Sequence, residues 1–566
     1  MAQNPADVLA RLPGLGDWMR LGLYDAEAGY YASGRVRFGH ERDFWTFPER
    51  LSPAFGRLIA VRLAAARDAL VADGAMADGD PFTAVELGAG DGSLARDVCD
   101  AVDDLSAMSP SSARLAACMR YRIGERSPAL QDLQRTRLGH HHGSRADHLS
   151  QGSADLLART TPFTGVILHN ELLDVWPHEL VCPGVGGDAT LLRLVAWLDE
   201  GTWAQWGLPA VDPALVAVCG AAPAAGLWPL ETAHLALAMR RAAHAPSTPL
   251  VVTAVDAPLV SHPDAAKISA WLVEIADLVG HRREAHSLPP HLVVCPGIGD
   301  LVAWAAANLR AGWMWTIDYG GTALHSLDPW PGMPLVRVYP EPRDGEGDKE
   351  DDPVQALLAR LTWPGSQDVT VDIDFSHLAA AGRDVGLMPV WHGPQGGVAA
   401  FVGAPNLLAA AERRVVEARL RHRAGVTEVK AAGLVWSAAS RFLSGSPGFH
   451  LLVQRAGGGA PLVTQGSWPV LPESLVALRP DATEVAVQAA LGSLTQGAHL
   501  AERLRPSGCL YASLDEAGHR DVSAVVIDKL DGAGLLRRFD RQPIDRQKLD
   551  HETAAPPTSA GDPAIQ

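Results

Sequence analysis

The sequence carries no CxxC pair: its six cysteines, Cys99, Cys118, Cys182, Cys219, Cys295 and Cys509, are scattered without regular spacing. That pattern points to neither a zinc site nor a disulfide framework. Long apolar runs are missing as well. No uninterrupted stretch reaches the roughly 20 residues needed to span a bilayer, and the N-terminal MAQNPADVLARLPGLGDW lacks a basic segment followed by an apolar one. We therefore expect a cytoplasmic chain with no membrane association. Positive charge is also in deficit, 48 Lys and Arg against 65 Asp and Glu, for a formal net charge of -17. Phosphate binding draws most of its affinity from clustered cations, so this balance argues against a general nucleic-acid binder. It is compatible with a basic protein or peptide partner.

What is present is ordinary globular composition, 47% hydrophobic and 20% charged, in a chain of 566 residues. That length exceeds what a single core usually organises. Composition and pattern predict an N-terminal arm and helix over 1–80 and a catalytic domain over 81–455 with a helical insertion at about 205–290. A small α/β or winged-helix-like module over 456–548 and a disordered, Pro-rich tail over 549–566 complete the expected organisation. The run EPRDGEGDKEDD at 341–352 reads as a solvated loop, and helical pattern resumes at 407–422.

From residue 83 the pattern alternates. Strands are expected at 83–87, 121–125 and 165–169, with helices beginning near Ser93 and Pro128, and further strands at 192–198, 291–294, 313–319 and 449–454. Alternation of this kind predicts an α/β fold, a Rossmann-like parallel sheet with helices on both faces. In AVELGAGDGS the first strand runs into Gly88, Gly90 and Gly92, which let the backbone turn sharply and approach a ligand. Ser93 stands where a dinucleotide fingerprint would place glycine. Glu86 and Asp91 flank the loop, where acids suit the cationic S-adenosylmethionine and would repel a pyrophosphate. Glu125 ends the next strand, where an acid takes ribose hydroxyls; a long loop through SAMSPSSA absorbs the wide interval before it. S-adenosylmethionine is therefore the expected cofactor, with Glu86, Gly88, Gly90, Asp91, Gly92 and Glu125 around it.

A second acidic group follows another apolar strand. FTGVILHNELLDVWPHEL places Asn170, Glu171 and Asp174 at a carboxyl edge, where open α/β sheets bind ligands. The bland alternative is that Asn170 or Glu171 caps a helix. Asp318 and Tyr319 end one more expected strand and line the same edge, while Asp43 and Glu49 of the arm are candidates to complete a pocket there. His40 and His169 are candidate bases, though a single histidine is more often structural. The run His140 to His142 reads as a loop rather than a metal site.

Taken together, the motifs resemble a known methyltransferase family, the one that includes a mitochondrial complex I assembly factor with protein-arginine methyltransferase activity and its bacterial relatives. The likeness is carried by GLYDAEAGYY at 22–31, FGHERDFWTFPERLSPAFG at 38–56, VELGAGDGSLARD at 85–97, ERSPALQDLQ at 125–134 and HNELLDVWP at 169–177. It continues through VVCPG at 293–297, IDYGG at 317–321, RVY at 337–339, DVTVDIDFSHLA at 368–379, PQGG at 394–397 and FHLLVQR at 449–455. The resemblance implies a class I methyltransferase fold whose arm helps close the site, a cofactor on the glycine loop and Glu125, and residues 170–174 facing the methyl acceptor. Asp372, where relatives usually carry His, and Val175 with Trp176 depart from the pattern and bear on the substrate.

If the acceptor is an arginine, a carboxylate can grip its guanidinium bidentately and orient one nitrogen; Glu171 is the first candidate and Asp174 the second. Three readings stay open at this level: a protein-arginine methyltransferase, a methyltransferase for a small molecule or modified peptide, and a catalytically idle assembly protein that keeps the fold.

Overall fold

The computed structural model describes residues 4–33, 36, 53–107, 109–142, 145–149, 156–158, 160–184, 189–242, 250–276, 279–280, 291–321, 335–339, 353–394, 449–457, 474–478, 533–534 and 536–540. His40, Asp43 and Glu49, the charged run at 341–352, the helical pattern at 407–422, and most of the C-terminal module and tail lie outside the described residues.

Mostly buried strands make the central sheet. Strands β1 (Phe82–Leu87), β2 (Met119–Gly124), β3 (Ala146–His148) and β4 (Phe163–Asn170) pair in parallel in the order β4-β1-β2-β3. β1 is buried at every position, as expected where helices cover both faces of a parallel sheet. The expected long loop before β2 holds a helix, Pro110–Cys118, because Ser109 caps it and proline takes its first turn.

After β4 the chain leaves this sheet and builds another. Strands β5 (Glu179–Cys182), β6 (Thr190–Asp199), β7 (Leu227–Leu230), β8 (Val251–Pro258) and β9 (Leu292–Val294) form an antiparallel sheet of order β7-β6-β5-β9, with β8 also on β6. The segment at about 205–290, expected to be helical, is thus mixed. Its helices Pro213–Cys219, Thr232–Ala242 and Ala265–Glu274 alternate with β7 and β8, whose pairing with β6 is a tertiary contact that local Ala- and Pro-rich composition conceals. The arm helix Leu15–Tyr24 docks here: Leu15, Trp18, Met19 and Leu23 are buried in one cluster with Leu180, Leu192 and Leu194.

The chain then returns to the first sheet as β10 (Leu309–Gly321), parallel to β4. A short ribbon, β11 (Val336–Tyr339) with β12 (Asp368–Val371), and the two-residue β13 (Ile373–Asp374) follow, the last pairing β10. β14 (Met388–Pro394) and β15 (Phe449–Ala456) close the sheet antiparallel beyond β10. Far downstream, β16 (Ser474–Leu478) pairs β17 (Leu536–Asp540). The strand at 536–540 follows Gly534 at φ 68.

Candidate active site at the carboxyl edge of the parallel sheet

The glycine loop leaves β1 at the edge where β2, β4 and β10 also end. The Gly88 amide donates to the Gly124 carbonyl at 2.8 Å, which fixes the loop against β2. Gly88 and Gly90 take φ 69 and 53, the left-handed region costly to side-chain-bearing residues. A Cβ on Gly88 would lie 2.7 Å from Leu172 Cδ1, so this glycine also lets the loop meet the acidic segment after β4. Gln134 ties the parts together: its Nε2 donates to the Gly90 carbonyl at 2.8 Å and to Glu125 Oε2 at 3.2 Å, and its Oε1 faces His148 Nε2 at 2.8 Å.

The acids around the loop are internally satisfied. Glu125 Oε1 accepts from the Ser127 amide at 2.9 Å, and burial pushes its carboxyl up to about 7. Glu86 lies inside the sheet, accepting from Tyr121 Oη at 2.7 Å, and burial pushes it up to about 7 as well. Asp91 is no bare negative charge, contrary to the electrostatic expectation. It accepts from the Ser93 amide at 2.9 Å at the start of helix Ser93–Ser106 and pairs with Arg137 at 2.8 Å. Asp91 therefore shapes the loop, and Glu125 stands as the buried acid at the end of the next strand.

This cradle fits S-adenosylmethionine: its turn lacks the Cβ atoms that would block close approach, and a buried carboxylate stands at the end of the adjacent strand. Gly88, Gly90 and Glu125 are the residues that would hold it. Bound there, the cofactor supplies a methyl group on a sulfonium, activated for transfer.

The second acidic group is built differently. β4 ends at Asn170, and Glu171 follows at φ 51, the one non-glycine residue with positive φ among the described residues. Strain of this kind persists only where surroundings over-determine it. Here the Glu171 amide donates to the Ile317 carbonyl at 2.9 Å, and Glu171 Oε1 accepts from Asn170 Nδ2 at 2.9 Å. Asp318, fully buried on β10, gathers the next turn: its Oδ2 accepts from the amides of Leu172, Leu173 and Asp174 at 3.2, 2.8 and 3.3 Å. Burial pushes Asp318 up to about 7, and Asp174 is driven well above the usual range by burial and by Asp318, Glu171 and Asp368 around it.

β12 and the arm close the cluster. The Val371 amide donates to the Asp174 carbonyl at 2.8 Å, which brings Asp368, at the other end of β12, alongside. Tyr31 Oη donates to Asp368 Oδ1 at 3.0 Å, and Tyr24 Oη donates to the Val175 carbonyl at 2.8 Å. The Arg126 guanidinium stacks on Tyr24, 4.4 Å from the ring centre, and Ser127 Oγ donates to the Tyr31 carbonyl at 3.2 Å. The arm thus joins the Glu125 loop to the acidic cluster. Arg337 of β11 lies over the Tyr319 ring at 5.1 Å and pairs with Asp372 at 2.6 Å.

Asn170, Glu171, Asp174, Asp318 and Tyr319 are brought together as expected. Helix capping does not account for Glu171, since no helix begins after it. His169 is no base at this edge: it is fully buried, bonded to Thr316 Oγ1 at 2.9 Å, and burial pushes it down to about 3. His142 pairs with Asp100 at 2.8 Å, which makes it structural. Asp368, Tyr31, Gln134 and Arg337 were not singled out from sequence. Each lies in a motif that carries the family resemblance, GLYDAEAGYY for Tyr31, ERSPALQDLQ for Gln134, RVY for Arg337 and DVTVDIDFSHLA for Asp368, but the motifs alone give none of them a role.

The parallel sheet, the glycine loop with Glu125, and the edge acids define an S-adenosylmethionine-dependent methyltransferase. Residues 66–392, more than half of the chain, match the family described as "Putative S-adenosyl-L-methionine-dependent methyltransferase", and the chain belongs to that family. A solved structure from Burkholderia thailandensis, bound to S-adenosyl-homocysteine, aligns with 82% of this chain and 96% of its own at a TM-score of 0.50 and 19% identity, a likeness of fold. A curated relative from Drosophila melanogaster, "Protein arginine methyltransferase NDUFAF7 homolog, mitochondrial", is 43% identical over 82 residues. That match spans 14% of this chain and 17% of the relative. Among the described residues no helix is long and apolar enough to cross a membrane.

Proposed function

We propose that the chain transfers its methyl group to an arginine side chain of a protein or peptide, basic in character and met in the cytoplasm. The observation that carries this reading is the cluster of buried carboxylates Asp174, Asp318 and Asp368 with half-buried Glu171 beside them, adjoining the glycine loop through the Gly88–Leu172 contact. Buried carboxylates are costly unless paired, and a guanidinium is the cation that a carboxylate grips with two parallel hydrogen bonds. The short match to a relative named as a protein arginine methyltransferase supports the same acceptor.

Transfer from a sulfonium is an in-line displacement, so the residues of this chain work chiefly by positioning. Glu171, held in a strained conformation, orients the acceptor nitrogen. Asp174 faces the same group, while Asp318 keeps the turn 172–174 in place through three backbone amides. The arm tyrosines Tyr24 and Tyr31 cover the cluster and exclude water. The test is transfer of labelled methyl from S-adenosylmethionine to a proteome extract, followed by analysis of methylated residues. Label on arginine is expected; label confined to small molecules, or none at all, would contradict the proposal.

A further inference from the structure

Two buried carboxylates of the cluster are left half-satisfied. Asp368 is fully buried, and its Oδ1 is taken by Tyr31 Oη at 3.0 Å, but its Oδ2 has no hydrogen-bond partner. Asp174 is 3% exposed, and its Oδ1 has none either. The two come from segments joined by the bond between the Val371 amide and the Asp174 carbonyl. Leaving a buried acceptor unpaired is costly, more so for a charged group, so such an arrangement is tolerated where something else completes it.

Arg337 stands near both acids and does not complete them. Its Nη1 is committed to Asp372 Oδ1 at 2.6 Å, its guanidinium carbon lies 5.1 Å from the centre of the Tyr319 ring, and its Nη2 is itself without a partner. We propose that Asp368 is a specificity-determining residue: with Asp174 it forms a two-carboxylate grip on the cationic acceptor, and Tyr31 of the arm holds it in place. Asp368 Oδ2 and Asp174 Oδ1 each take one N–H of the acceptor, while the Tyr31 hydroxyl stops Asp368 from turning away. The proposal rests on a cationic acceptor and extends the arginine reading, yet it is tested separately.

The test is calorimetric titration of methylguanidinium and of Nα-acetylarginine amide into the full chain saturated with S-adenosylhomocysteine. Wild type should bind both. Asp368→Asn should keep its affinity for S-adenosylhomocysteine within about twofold and lose tenfold or more for both guanidinium probes. Tyr31→Phe, which keeps the carboxylate and removes its tether, should raise the acceptor KM severalfold with kcat little changed. Asp368→Glu should recover part of what Asp368→Asn loses. The proposal is overturned if wild type binds neither probe, or if Asp368→Asn binds them as wild type does. It is also overturned if Asp368→Asn loses cofactor binding as well while Tyr31→Phe matches wild type in every parameter. Guanidinium binding that depends on Asp368, together with no methylation of protein arginine, would sink the arginine reading and leave this one standing.

Discussion

The two acidic groups at the sheet edge are opposites in how their charge is handled. On the cofactor side Glu86 has Tyr121, Asp91 has Ser93 and Arg137, and Glu125 has Ser127 and Gln134. On the acceptor side Asp174 and Asp368 each keep a buried oxygen without a partner, and Glu171 sits in a strained backbone. A fully bonded group is rigid before its ligand arrives and suits one invariant ligand. A half-bonded group is completed by the ligand, so it sets the choice of acceptor and bears the cost while empty.

The largest expected effect breaks the cofactor side alone. Gly90→Val puts a β-branched residue at φ 53 in the loop and should abolish S-adenosylhomocysteine binding in calorimetry while the protein still melts cooperatively. Next is the acceptor side's internal ion pair. Asp372→Asn leaves Arg337 buried without the counter-charge it pairs with at 2.6 Å and should lower stability by roughly 3 kcal/mol in urea titration, with a smaller loss for the paired apolar replacement Arg337→Met with Asp372→Leu. Gln134→Leu removes the bonds that tie Gly90 to Glu125 and should weaken S-adenosylhomocysteine by about tenfold, roughly the worth of one or two hydrogen bonds.

Acidity sharpens the same contrast. Burial raises Glu125, Asp318 and Asp368 to about 7, so the folded state holds protons that the unfolded chain releases near the ordinary carboxylate range. Stability of the ligand-free protein should therefore fall as pH rises from about 4.5 through 7, by roughly 1 kcal/mol per pH unit for each titrating group. Binding of a cationic acceptor needs the ionised acids, so its KM should fall over the same interval. A melting temperature that climbs from pH 5 to 8 would contradict this assignment. The smallest effect is expected at the pair of exposed Arg240 and Asp25, 2.8 Å apart, where the Asp25 carboxylate also accepts from the Glu27 and Ala28 amides: Arg240→Ala should cost no more than about 1 kcal/mol and leave kcat unchanged.

Much of the cofactor side was legible because it is local. A strand buried along its whole length, three glycines and an acid at the end of the next strand lie within 44 residues of one another, from Phe82 to Glu125. The turn Asn170–Asp174 was legible for the same reason, a strand followed at once by acids. Asp368 was legible only as the first residue of the motif DVTVDIDFSHLA: it reaches Asp174 from about 190 residues downstream, and nothing local to the short strand DVTV marks its acid for that contact. The antiparallel sheet was hidden similarly. Residues 192–198 and 291–294 read as strands, but their pairing is set by tertiary partners, and LWPL at 227–230 joins them despite its proline because β7 lies at the sheet's edge.

The central claim is that cofactor grip and acceptor grip are separate devices meeting at one edge. Glu171→Gln tests it most directly, measured for S-adenosylhomocysteine affinity by calorimetry and for labelled methyl transfer in the same preparation. The account predicts wild-type affinity with turnover reduced by 100-fold or more, in line with loss of a positioning contact. Wild-type turnover, or loss of affinity and turnover together, would contradict it.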